Sequence, residues 1–181
     1  MLRKVFNMFI RGAQAEKNFL LSAAEKMCLA ARTAPKAKGV DKIVTGIVTS
    51  DEKEALAKEM LRLFDETGMP FYKRDAQNIT DSEAVVLIGT TGGAKGLNCS
   101  YCGYENCKEM AQSGGHCAFD DIDLGIAVGS AVSCAADERV DNRVMLSAGI
   151  AATNLKILGE KTLKVLAIPL SATGKSPYFD R

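Results

Sequence analysis

Four of the six cysteines in this 181-residue chain fall between Asn98 and Cys117, in N-C-S-Y-C-G-Y-E-N-C-K-E-M-A-Q-S-G-G-H-C. Their spacing is C-x2-C-x4-C-x9-C, from Cys99 through Cys102 and Cys107 to Cys117. No other feature constrains the chain so strongly, because thiolates that share one centre force the whole segment to wrap about a point. A C-x2-C step lets a single turn aim two thiolates at one place. Gly103, which follows at once, permits a positive φ that swings amide N–H groups toward sulfur. A [4Fe–4S] cluster needs four converging thiolates and is tuned by such amides. Zinc also accepts four thiolates, but structural zinc sites usually pair two separated C-x2-C knuckles, and the second is absent here. The spacing favours an iron–sulfur cluster; structural zinc and reduced, unliganded cysteines are the alternatives. His116, the one histidine, stands beside Cys117 as a replacement ligand or as an exposed loop residue.

The chain is long enough for one domain with its own hydrophobic core, expected to span 1–181 with 89–118 as a cysteine-rich insertion. A formal net charge of +1 gives no reason to expect nucleic acid or an anionic membrane as a partner. Aromatic residues are few and tryptophan is absent, which argues against a base-stacking surface. The apolar run in Met1–Gly12 is broken by Asn7 and Arg11 and no small-residue cleavage site follows, so no targeting segment is expected. No window approaches the length of uninterrupted apolar residues that a membrane span requires. Cysteines clustered for a metal, not dispersed as a disulfide frame, suit a reducing cytoplasm.

Taken in order, Gln14–Thr33 has Phe19, Ala23, Met27 and Ala30 at helical spacing and is rich in good helix formers. Pro35 stops it near Ala34. Lys42–Thr49 is rich in β-branched residues and reads as a strand. Ser50 or Asp51 caps a helix over Glu52–Glu66 with a Leu56, Met60, Leu63, Phe64 stripe, closed by Gly68 and Pro70. Asp75–Thr80 reads as loop, and Ala84–Gly89 as a central strand buried on both faces. The loop Gly89–Gly96 lacks the G-x-G-x-x-G fingerprint and no helix follows it directly, so it serves close backbone approach to the cysteines instead of a nucleotide. Ile122–Ala136 reads as a helix whose Gly125, Gly129 and Ala131 admit a close neighbour. A helix capped by Asp141 or Asn142 runs to about Leu158, and Thr162–Pro169 is the last strand. The G-K-S of the tail lacks the upstream glycine of a phosphate loop, and Pro177 forbids the helix such a loop needs. Cys28 and Cys134 lie in helices as small core residues.

Three stretches carry a resemblance: A-A-R-T-A-P-K-A-K-G-V-D at Ala30–Asp41, C-x2-C-G-Y-x2-C from Cys99, and I-P-L-S-A-T-G-K-S-P-Y-F-D-R at the C-terminus. Together they resemble the bacterial and archaeal family described as ferredoxin-domain-containing proteins, along nearly the whole chain. That resemblance implies an iron–sulfur site at Cys99, Cys102, Cys107 and Cys117. A second, weaker one is to the flavin-dependent nitroreductases, whose first long helix runs into A-P-S before a strand, where this chain has A-R-T-A-P-K. Their small-residue helix, which packs across a dimer core, is similar to D-L-G-I-A-V-G-S-A. This resemblance implies FMN at a dimer interface. The R-R-S-x-R motif of those proteins is missing, so Arg32, Thr33, Pro35, Lys36 and Lys38 are the candidate flavin residues, with the three cations as substitutes for the phosphate ligands.

The resulting expectation is an α/β (α+β) protein, nitroreductase-like, with a mixed central sheet, helices on both faces and an iron–sulfur insertion after a central strand. Its expected role is electron transfer from a [4Fe–4S] cluster, to FMN and then to a small substrate or a redox partner protein, in a cytoplasmic homodimer. No catalytic residue is identifiable. A zinc-stabilised binding module and a cluster-based sensor without substrate are the competing functions.

Overall fold

The structure is a computed structural model and describes residues 9–179. The expectation of no targeting segment rests largely on residues 1–8 and so lies outside the described residues, as do the last two residues of the tail. Four strands form one sheet in the order β1-β2-β4-β3: β1 Ile43–Val48, β2 Ala84–Thr90, β3 Asp141–Asn142 and β4 Lys164–Ser171. Helices α1 (Gly12–Thr33) and α5 (Ala118–Asp137) cover one face. Helices α2 (Ser50–Thr67), α3 (Pro70–Asp81) and α6 (Leu146–Asn154) cover the other. A short helix, α4 (Cys107–Gln112), lies within the cysteine segment.

The two cores follow from strand alternation. Val86 and Ile88 of β2 and Ile168 and Leu170 of β4 point to α1 and α5. Val85, Leu87, Val165 and Ala167, one residue out of phase, point to α2, α3 and α6. All seven residues of β2 are buried, as an apolar run without alternation requires of a central strand. The cysteine segment therefore leaves the end of the best-anchored strand in the sheet.

Where the sequence suggests a mixed sheet, the described strands all pair antiparallel. The reason lies in α3. Asp75–Thr80 is helix, not loop, and α2 and α3 pack against each other between β1 and β2. One helix between strands carries the chain to the far end for a parallel return; a pair brings it back, so Val48 faces Val85. The helix was hidden because Asp75 and Asn78 are buried beside Tyr72, Ala76 and Ile79. Asp75 is satisfied by Arg74 Nη2 at 2.7 Å and Ser147 Oγ at 2.6 Å, so a charge occupies a core-facing position and breaks the apolar period.

Three further differences are local. The buried stripe of α1 is Leu20, Ala23, Ala24, Met27 and Ala31, while Phe19 is 41% exposed, because alanines on both sides of the helix leave its face undetermined. Asp141 and Asn142 cap no helix: they pair with Ser171 and Leu170, Met145 bridges Ala167, and α6 starts at Leu146. On α5, Gly125 and Gly129 face open space, but Ala131 is fully buried against the protein's own core.

Candidate metal centre in the cysteine segment

The segment after β2 is shaped by residues with positive φ: Gly92, Gly93, Gly96, Asn98, Ser100 and Gly103. Gly103 N–H donates to Ser100 O (2.9 Å), closing the turn between Cys99 and Cys102, and Ser100 Oγ donates to Glu105 O (2.9 Å). Asn106 is the N-cap of α4, accepting from Lys108 and Glu109 N–H at 3.0 Å each. Asn98 ties the two halves together. Its side-chain oxygen accepts from Cys107 N–H (3.0 Å), and its own N–H points at Cys107 Sγ, 3.3 Å away.

These turns bring Cys99, Cys102, Cys107 and Cys117 to the wall of one small cavity, together with Lys95, Met110 and Phe119. Cys117 is buried, Cys102 and Cys107 are half-buried, and Cys99 is exposed. Tyr101, largely exposed, leans on Phe119 with ring centroids 5.8 Å apart and flanks the opening. The other two cysteines sit elsewhere: Cys28 on α1, where burial raises its thiol pKa, and Cys134 on α5. Among the described residues, no three His, Cys, Asp or Glu side chains stand together as a site for a single metal ion. His116 is absent from the cavity wall.

The spacing puts sulfur-directed amides at Gly103, and the Gly89–Gly96 loop is expected to approach the cysteines, but the amides of Gly103, Gly92 and Gly93 are engaged elsewhere. Gly103 N–H closes its own turn, Gly92 N–H meets Thr90 Oγ1 (3.1 Å), and Gly93 N–H meets Asp120 Oδ2 (2.9 Å). The amide that reaches sulfur is that of Asn98, whose left-handed φ of 48° turns it inward. Its position directly before Cys99 is the one available sequence signal, since asparagine tolerates that conformation better than most residues.

A buried ionic group adjoins the cavity and was not anticipated. Lys95 Nζ lies 2.9 Å from Asp123 Oδ2 and 3.7 Å from Asp120 Oδ1, and donates to Val40 O at 3.0 Å. All three side chains are 5% exposed or less. Burial pushes the Asp120 carboxyl above its usual range against the opposing effects of the Gly93 N–H and Lys95.

The candidate flavin residues form no single anion cradle. Arg32 pairs with Asp41 and donates to Ile43 O (2.8 Å), and its side chain borders a groove along β1. Lys36 folds back onto Ala31 O (2.7 Å) and Arg32 O, where burial lowers its pKa. Thr33 Oγ1 donates to Leu29 O, and Pro35 is exposed at the bend. Lys38 alone reaches outward to the cysteine segment, its ammonium 3.6 Å from where a β-carbon on Gly96 would stand.

Residues 113–181 match the profile of a family described as uncharacterized protein containing a ferredoxin domain. An uncharacterized protein of Archaeoglobus fulgidus is 44% identical over 168 residues, covering 88% of this chain and 90% of its own. Among solved structures, a nitroreductase family protein from Clostridium novyi NT superposes with a TM-score of 0.56 at 15% identity, over 83% of this chain and 73% of that one. An FMN-dependent nitroreductase from Clostridium difficile R20291 gives 0.53 at 12%, over 85% and 76%. The NADPH:FMN oxidoreductase of Vibrio harveyi gives 0.55 at 10%, over 88% and 63%. At such identities these structures share the fold, and the nitroreductase-like architecture is what they establish.

Proposed function

This chain belongs to the family of uncharacterized proteins containing a ferredoxin domain, and on that premise we propose that it transfers electrons through one [4Fe–4S] cluster held by Cys99, Cys102, Cys107 and Cys117. The observation that carries the reading is that these four thiols, and not Cys28 or Cys134, line one cavity. A mononuclear zinc needs sulfurs about 2.3 Å from a common point. Four thiols wrapped about one cavity by a C-x2-C-x4-C-x9-C segment suit a cluster with four iron corners. Such a cluster supplies one-electron chemistry when bound. The chain's part is to hold and tune it: Asn98 N–H points at a ligand sulfur, Cys117 and Met110 bury one side, and Tyr101 and Phe119 limit water at the opening. In this reading residues 89–118 are the cluster-binding insertion of a single domain, in the reducing cytoplasm. Among the described residues no helix is long and apolar enough to cross a membrane.

The proposal extends to a flavin and a second copy. The Arg32–Lys38 loop adjoins the cysteine segment through Lys38 and Gly96, so FMN there would sit beside the cluster. Lys38 is the cation placed to meet its phosphate; Arg32 and Lys36 would first exchange Asp41 and the α1 carbonyls. The outward face of α5 carries exposed Ile122 and Ile126 with Gly125 and Gly129, beside exposed Leu146 and Leu163 and an apolar cavity of about 380 Å³ between α5, α6 and β4. That face suits a homodimer. A small substrate or a redox partner protein would take the electrons. Anaerobic reconstitution with iron, sulfide and FMN, followed by desalting and a visible spectrum, tests the cluster and the flavin together. The expected result is a brown protein with roughly four irons per chain and retained flavin. A colourless protein that keeps zinc would establish the structural alternative, and a brown one that retains no FMN would remove the flavin and leave the cluster.

A further inference from the structure

We infer that Lys95, Asp120 and Asp123 form a clamp that couples the cysteine cavity to the Ala37–Val40 loop, so that filling the cavity stiffens the loop. The coupling rests on the cluster reading above; the clamp itself rests on the geometry. Both ends of the cysteine segment lead into the same ionic group. Lys95 lies in the cavity wall four residues before Cys99, and Asp120 and Asp123 occupy the start of α5, which begins directly after Cys117. The group then reaches across to the loop at two backbone atoms. Lys95 Nζ donates to Val40 O (3.0 Å), and Asp123 Oδ1 accepts from Ala37 N–H (2.9 Å). A third tie, from Gly93 N–H to Asp120 Oδ2 (2.9 Å), holds the glycine-rich loop to the same charges.

Burial makes these ties act together. None of the three side chains can replace a lost partner with bulk water, so displacing one charge strains the other two. Two carboxylates also face a single ammonium: it sits 2.9 Å from Asp123 Oδ2, while Asp120 Oδ1, 3.7 Å away, lacks a hydrogen-bond donor. An arrangement with this imbalance keeps its geometry only while the elements that carry it are held in place. Thiolates gathered on one cluster would hold the segment on both sides, and the effect would pass to Ala37 and Val40 through these ties. Lys95 is thus a positioning residue for two sites.

Hydrogen exchange read by mass spectrometry on the full chain, kept anaerobic, tests this with and without reconstituted iron and sulfide. In wild type, loading should slow exchange across Ala37–Val40 on the order of tenfold and leave the α2–α3 pair unchanged. Asp123→Ala should still take up iron but show no such gain. An unchanged loop in loaded wild type, or a full gain in the variant, overturns the coupling. Should Asp123→Ala fail to fold, Asp123→Asn keeps the shape without the charge: it should show less than half the wild-type gain, and a full gain overturns the proposal. If wild type takes up no iron, the cluster reading and the coupling fall together. The apo proteins then decide the clamp, which requires faster Ala37–Val40 exchange in the variant than in wild type; equal rates overturn it.

Discussion

Individual residues separate the cysteines into two kinds. Cys99, Cys102, Cys107 and Cys117 share a cavity; Cys28 and Cys134 sit on the packed helices α1 and α5. Serine replaces the sulfur with a poorer ligand for iron of nearly the same size, so it tests ligation with little change in packing. Cys102→Ser and Cys107→Ser are expected to lose at least about half of the reconstituted iron, whereas Cys28→Ser keeps all of it. Iron and acid-labile sulfide assays after anaerobic desalting decide the matter, and full iron in Cys107→Ser would end the assignment. The grouping of these four cysteines was legible because it depends on spacing along the chain. The amide donor was not, because Gly103 and Gly93 have closer acceptors in Ser100 O and Asp120 that only folding supplies.

Among the elements, α6 and α5 use small residues for opposite purposes. On α6, Gly149 is pressed against β4, and a β-carbon there would stand 2.0 Å from Val165 O. Backbone cannot move aside as a flexible side chain can, so Gly149→Ala should destabilise the protein by about 1–3 kcal/mol. Differential scanning calorimetry would show this as a melting temperature lower by roughly 2–4 °C per kcal/mol; an unchanged midpoint would contradict the packing described. On α5, Gly125 and Gly129 face open space on the same side as exposed Ile122 and Ile126. In the proposed dimer, Gly129→Leu should overpack the contact and Ile126→Lys should place a charge in it, each weakening self-association by about 1–3 kcal/mol or more. Light scattering at micromolar concentration reads this directly, and a monomeric wild type would leave the face unexplained. From the sequence both helices are alike in being rich in small residues. Which glycines are covered depends on which element lies above them.

For the molecule as a whole, the C-terminal tail closes the structure. Tyr178 is 1% exposed within the core formed by α2, α3 and α6, and Arg143 donates to its carbonyl at 2.7 Å. Burial pushes its phenol up to about 12, against a smaller opposing effect of the neighbouring Ser171 hydroxyl. The unfolded chain releases this proton near pH 10, before the folded one does. Between those values the native state binds more protons than the unfolded state, so stability falls as pH rises. The contribution is fully present below about pH 10 and is lost progressively toward about 12. Urea titrations across this range should show a falling midpoint that flattens in Tyr178→Phe, and parallel slopes in both proteins would refute it.

The layered architecture reflects the same division. The uninterrupted apolar run of β2, the Leu56–Met60–Leu63 stripe of α2 and the four-cysteine spacing are properties of neighbours along the chain, and the sequence alone determined them. The left-handed cap at Gly68, with φ of 69°, belongs with them. The antiparallel sheet, the β3 pairing, the ionic group at Lys95 and the inward retreat of Arg32 and Lys36 were decided only in three dimensions. The helix α3 that turns the sheet antiparallel and the ionic group each depend on a polar group finding a partner far away in sequence: Asp75 on Ser147, Asp123 on Lys95 and on the Ala37 amide. A buried charge looks like a surface residue until its partner is known, because the cost of its burial is offset by atoms that local sequence does not reveal.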